Sequence, residues 1–492
     1  MSQQYMYPPY GKPYPKRATH GHNTQLTQNK PPTPEPEVHV KMEEMLRMAA
    51  EKLESDVSTT QASIPPFPHY LQGGIGGAGD RYVEPSVVTI GPCHRDMNHL
   101  ARMRKIEEVK KAVAYNLCGH LGISVEKAHQ KIVAVAGEAR RCYDATIVSH
   151  LSDNMFADMM FVDGCFLLSY MLCGMDDRLL VECNLSAGPS FRRDIFLLEN
   201  QIPWLVLDAL MGLTGKDEEE DEDVLVRVQV RQFVERMAAM ISPRKGKEDK
   251  NSKKIDGGSR KGTSDGMEHC KKPPHLLGFL RLLLIRNMPQ QKRESEVTDG
   301  ITSATLSIGA IELVQSGVKL TTAGASSKAG CFADMDCQKL FLFGKLSLSP
   351  LVLDDTMLCW LVNMVALESS AAATTAGSRD KDGYVVSSYL SMLAMLMDRE
   401  EDVHELRRSG VLTSIFSNAQ TLAIFKGFSQ HLRPGYNYFN TLWQIQEYMR
   451  TRPVRIAVHK FVYNNYKTIA AVLSIAGALI GILKALYSLK KP

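Results

Sequence analysis

Metal, disulfide and nucleotide chemistry all lack their usual marks in this 492-residue chain. No pair among its ten cysteines has Cys-x-x-Cys spacing, and the nearest pair, Cys331 and Cys337, has no histidine beside it. A zinc site and a disulfide framework are therefore not expected. Neither G-x-x-x-x-G-K-[ST] nor H-E-x-x-H occurs, which leaves phosphate-loop and zincin chemistry without an anchor. Gly74, Gly76 and Gly79 spell G-x-G-x-x-G, but no strand precedes them and Pro85 follows, so they read as a hinge. Asp153, Asp158 and Asp163 recur at five-residue steps, which spreads them around a helix and excludes a carboxylate pair on one face. No internal repeat indicates a solenoid. The N-terminus has no apolar h-region, so no cleavable signal is expected, and the Asn184-Leu185-Ser186 sequon reads as chance.

Large charge of one sign is missing too. Lys and Arg number 58 against 54 Asp and Glu. Seven of those bases and none of the acids lie in Thr451–Pro492, so the preceding 450 residues sum to −3. A nucleic-acid partner is not expected from that balance.

What is present is a core. Hydrophobic residues make up 44%, with helical periodicity over most of the chain. Residues 1–79 read as a Pro-rich disordered head with a short helix at 38–56. A helical body follows over 80–460. It holds an acidic and basic insertion at about 214–274, expected to be disordered apart from a helix-like stretch at Val224–Met240. Helices are expected over His99–Ala136 (broken at Gly119 and Gly122), Met155–Leu172, Phe191–Leu213 with a kink or break at Pro203, Ala310–Leu320, Asp355–Leu367 and Tyr384–Met397. Tyr82–Val88 reads as an extended entry segment, and Leu340–Val352 as one or two short strands. The class is mainly α.

Thr468–Leu483 is sixteen residues without a charge, and Ala485–Leu489 extends it past Lys484 to 468–489. At 1.5 Å per residue that is roughly 33 Å, enough to cross a hydrocarbon layer of about 30 Å. Tyr463, Tyr466 and Tyr487 lie where interfacial aromatics belong, and Lys460, Lys467, Lys490 and Lys491 bracket the span. The reading is a single-pass transmembrane helix, inserted post-translationally as a tail anchor, its partner the lipid bilayer. Arg450, Arg452, Arg455, Lys460 and Lys467 on the near side place the body in the cytosol. Ser474, Gly477 and Gly481 form a small-residue face suited to weak homodimers.

The most unusual polar cluster is Glu199-Asn200-Gln201, set in an apolar run before Pro203. Buried polar groups need partners, so these four residues are expected to be structural, satisfying backbone that Pro203 frees. The same residues carry a family resemblance. Tyr82–His94 (YVEPSVVTIGPCH), Met160–Leu167 (MFVDGCFL), Asp194–Pro203 (DIFLLENQIP), Ala310–Val318 (AIELVQSGV), Tyr389–Leu412 and Phe461–Ala471 (FVYNNYKTIAA) resemble the plant family called domain of unknown function 247. Cys93, Arg104 and Tyr466 depart from that pattern. The resemblance implies a helical plant protein with one C-terminal membrane helix and no established enzymatic activity; some grass members are associated with self-incompatibility.

The expectation is a membrane-anchored interaction or recognition protein with an unknown protein partner, no catalytic residue, no cofactor and no metal. Two rival readings stand beside it. One is an anchored enzyme using Glu199–Gln201 with Arg140 and Arg141 in a pocket. The other is a soluble regulatory protein whose last helix is buried.

Overall fold

The computed structural model describes residues 42, 44–48, 64–72, 79–96, 101–173, 189–213, 220–243, 272–285, 308–323, 331–370 and 384–489. Two units divide the chain, Met1–Thr59 and Thr60–Pro492. In the first, residues 42 and 44–48 are helical; its other residues, like most of the insertion, lie outside the described residues.

The second unit is mostly helical. Its first half is built on α1 (Ala101–His120), α2 (Val125–Arg140) and α3 (Asp153–Cys173). Ser124 starts α2 by accepting from the Lys127 amide. Helix α3 is apolar almost all round, and Phe156, Met160, Phe166, Leu168 and Tyr170 are fully buried between α1, α2 and later helices. An all-round apolar helix needs neighbours on every side, which is why it sits at the centre. The run over Phe191–Leu213, expected to kink or break at Pro203, is broken into α4 (Pro189–Asp194) and α5 (Trp204–Met211), with nine irregular residues between them that end at Pro203. Pro203 cannot donate to a helix, and the preceding polar side chains take the backbone groups instead.

Helix α6 (Glu220–Ile241) corrects the expected insertion at 214–274. Val230, Phe233, Val234 and Ile241 are buried, so this stretch belongs to the body. Both flanks are fastened: the Ser242 hydroxyl donates to Pro350 O at 2.7 Å, and Trp204 N donates to Pro274 O at 2.8 Å. The body also begins earlier than residue 80. Ile64, Phe67 and Leu71 are in the core, and Ile64 bridges to Tyr143.

In the second half come α7 (Leu276–Ile285), α8 (Ala310–Gln315), β1 (Val318–Thr322), β2 (Asp336–Lys339), β3 (Gly344–Leu348) and β4 (Leu351–Leu353). The helix expected over Ala310–Leu320 stops at Gln315, because Gly317 adopts φ +83° and turns the chain into β1. Strand β3 is central, parallel to β1 and antiparallel to β2. Helices α9 (Asp355–Ser369), α10 (Val385–Leu396), α11 (Glu400–Arg408), α12 (Asn418–Ser429) and α13 (Tyr436–Thr451) complete the body, with β5 (Leu412–Ser414) parallel to β4. Buried Glu368 accepts the Val386 and Ser387 amides at the start of α10 and pairs with Arg281 at 2.9 Å. Last comes α14 (Pro453–Leu489), continuous from the body through the apolar segment.

Candidate functional site

The stretches Val83–His94 and Asp194–Pro203 are distant in sequence and laced together in the fold. Asp194, fully buried, accepts the amides of Ser86, Val87 and Val88 at 2.9, 2.6 and 3.2 Å and pairs with Arg193 at 2.7 Å. Asn200 continues the lacing. Its Oδ1 accepts Ile90 N at 2.6 Å, and its Nδ2 donates to Val88 O and Asp194 O at 3.0 and 2.9 Å. Gln201 closes its own turn by donating to Ile195 O and Leu197 O, both at 2.8 Å, and accepts Leu277 N at 3.0 Å. From α9, Asn363 accepts Leu198 N at 2.7 Å and donates to Tyr82 O at 2.9 Å. Pro203 bridges to His275 across the chain entering α7. Each polar side chain here does what a ladder of backbone bonds does elsewhere, and the irregular chain pairs without strands.

Gly91 sits at the tightest point. Its φ is +74°, and a Cβ there would lie 2.5 Å from Gln201 O. Its amide donates to Asp163 Oδ2 at 2.9 Å. Behind it Lys110, wholly buried, donates to Asp163 Oδ1 at 2.8 Å, Thr89 O at 2.5 Å and Glu107 Oε1 at 2.5 Å. Burial pushes the Asp163 carboxyl up, and the adjacent ammonium opposes that. Of the other two expected acids, Asp158 is exposed beside His129 and Asp153 beside Arg140, so the three do not converge.

Glu199 is the least enclosed of the three cluster residues. Its Oε1 accepts Phe67 N at 2.8 Å, and its Oε2 lies 3.5 Å from His94 Nε2, which makes no hydrogen bond. Burial raises the Glu199 carboxyl and pushes the His94 imidazole down to about 4. Burial, with the Glu199 charge added, pushes the Cys93 thiol up to about 12, so this thiol is not a nucleophile at neutral pH. Arg140, proposed with Glu199 for a pocket, donates to Val148 O and Leu151 O and stacks over Phe156. The two best-formed depressions lie elsewhere; the larger, about 610 Å³, is lined by Tyr115, Cys118, His120 and Ile123 and includes none of these residues. Among the described residues no cluster of three or more His, Cys, Asp or Glu could hold a metal ion.

One pH dependence follows from His94. Its folded value lies below the ordinary value near 6.5, so its neutral form stabilises the fold above about pH 6.5. That contribution drains away as pH falls through about 4, by up to roughly 3 kcal/mol. Denaturant titrations of the parent and of His94→Asn at pH 7 and pH 4.5 check this: the variant should lose less stability between the two. Equal losses would place His94 in water.

Ser474, Gly477 and Gly481 lie on α14, far along the chain from this hub, with open space where either glycine would carry a Cβ.

A curated Arabidopsis thaliana protein, UPF0481 protein At3g47200, is 23% identical over 389 residues, covering 75% of this chain and 74% of the relative. No solved structure matches. The model of the family described as plant protein of unknown function, DUF247, matches residues 64–480, which takes in both laced segments and most of α14. This chain belongs to the DUF247 family of plant proteins.

Proposed function

We propose that this protein is a membrane-anchored interaction protein, its helical body held at a bilayer surface by α14. The observation that carries the reading is the state of that helix. Within Pro453–Ala485 the most apolar 18-residue stretch has mean hydropathy 2.0 and contains no buried residue. Val472, Leu473, Ile475, Leu479, Ile480, Ile482 and Leu483 all face outward. A soluble protein rarely leaves so long an apolar surface uncovered, and 33 residues of helix, about 50 Å, exceed the thickness of the hydrocarbon layer. The apolar α3 is the useful contrast: Asp153–Leu172, 20 residues, is also long enough to span but is mostly enclosed by its neighbours.

The interaction half of the proposal is supported by the hub. Asp194, Asn200, Gln201 and Asn363 direct their polar atoms at backbone groups of the body, leaving the Glu199–Gln201 cluster a fastening and not a reaction centre. The basic near side of α14 supports a cytosolic body, and the small-residue face of Ser474, Gly477 and Gly481 supports weak self-association within the bilayer. Purification of the full chain in mild detergent tests the role. A protein partner retained through washing is expected; a chain that copurifies with lipid and no protein contradicts it.

A further inference from the structure

The turn between β2 and β3 is out of keeping with a solvated loop. It reads Leu340-Phe341-Leu342-Phe343, and Phe341 and Leu342 are 79% and 66% exposed. Two-strand turns in water favour Gly, Asn and Asp, and four consecutive large apolar residues at such a tip need a reason.

The helix beside it supplies one. The carbonyls of Leu340 and Phe341 accept from the guanidinium groups of Arg452 and Arg455, and His459 Nε2 lies 3.2 Å from Leu342 O. Leu340 N donates to Phe343 O at 3.0 Å, closing the turn. Three successive carbonyls of an exposed turn are thus satisfied by side chains of Arg452, just before α14, and of Arg455 and His459 in its first turns. That is the requirement for backbone entering a layer where water is scarce. Arg455 also stacks over the Phe341 ring at 5.1 Å.

The turn is rigidly held. Cys337 N donates to Gln444 Oε1 at 2.7 Å, Lys339 pairs with Glu447 at 3.3 Å, and the Tyr448 ring packs where Gly344 has no Cβ. On the opposite side, a Cβ on Gly317 would lie 2.6 Å from the His459 ring, so the turn leading into β1 is in close contact with α14. Tip and anchor therefore move as one piece.

We infer that the Leu340–Phe343 turn is a second membrane contact, seated in the interfacial layer of an anionic bilayer beside the anchor. The inference rests on the membrane reading of α14. Continuity along the helix and charge favour this occupant. With Lys484 among the far headgroups, about 20 residues before it fill a hydrocarbon layer of roughly 30 Å, which sets the near boundary around Asn464 to Thr468. His459 is then about 8–14 Å from that boundary along the helix, near headgroup depth for a tilted helix. Val454, Val458, Phe461 and Val462 are exposed on the same stretch. Arg452 and Arg455 touch the turn, Arg450, Lys460 and Lys467 lie on the same stretch of chain, and Glu447 and Glu312 are paired with Arg450 and Lys460. Aromatic and aliphatic side chains beside bases match a surface of anionic lipid. Two contacts, one spanning and one interfacial, fix the tilt of the body on the membrane.

Site-specific photocrosslinking in the full chain tests this. The residue p-benzoylphenylalanine replaces Phe341 in one sample and Ile415, equally exposed on the body, in a second. Both are inserted into vesicles of phosphatidylcholine and phosphatidylserine, irradiated, and washed with alkaline carbonate. The inference predicts a chain that resists the wash, with lipid adducts at 341 and none at 415. Adducts at 341 to a second copy or another protein, or none at all, in a chain that resists the wash would overturn the turn's role alone. A chain released by the wash would overturn the anchor and the turn together.

Discussion

Replacing Lys110 with Met should destabilise the body by about 3–5 kcal/mol, because it leaves a buried carboxylate without its cation. Lys110 is enclosed on all sides and bonds Asp163, Glu107 and the Thr89 carbonyl from three different segments. Met fills most of the volume but cannot donate. The companion variant, Lys110→Met with Asp163→Leu, removes both charges and should recover a large part of the loss. Recovery will be incomplete, since Gly91 N loses its acceptor in the double variant. Chemical denaturation of the detergent-solubilised chain followed by circular dichroism measures both. If the single variant unfolds within about 1 kcal/mol of the parent, water reaches the pair and the enclosed network is wrong.

Replacing Asn200 with Leu should cost a comparable amount, on the order of 3–5 kcal/mol, since it orphans three buried backbone groups. Those groups are Ile90 N, Val88 O and Asp194 O. Leu keeps the approximate size of the side chain, so loss of hydrogen bonding and not a cavity is what the variant isolates. Asn200→Asp serves as a control: it retains the acceptor for Ile90 N but sets a charge against the Val88 and Asp194 carbonyls. It should also destabilise, more at pH 7 than at pH 4. Equal melting of Asn200→Leu and the parent, with loss of a measurable activity, would move Asn200 from fastening to function.

These two sites show where sequence reading reaches and where it stops. The helices α1 and α2 are legible because their apolar residues recur at three- and four-residue steps, and α3 because it is a long apolar run, both purely local signals. The exposed end of the chain is legible for the same reason, since sixteen uncharged residues need no partner to be noticed. Strands β1, β2 and β5 are three to five residues long and exist only because a distant strand offers its backbone, so nothing local marks them. The apolar run at Leu340 points to a strand, yet its first four residues are a turn; periodicity cannot tell a buried apolar run from one turned outward. Asn200 stands out as a polar residue in an apolar run, but its partners at Val88 and Ile90 are more than a hundred residues away. The Lys110–Asp163 pair, 53 residues apart, looks from the sequence like two ordinary surface charges.

The central claim is that α14 spans a membrane with the body on the cytosolic side, and protease protection on intact, carbonate-washed microsomes carrying the full chain tests it most directly. The account predicts that the chain stays in the washed membranes and that added protease digests the body, leaving a short fragment that contains the α14 span. Release of the chain in the wash would contradict the anchor. A protected body carrying glycan at Asn184 would contradict the orientation.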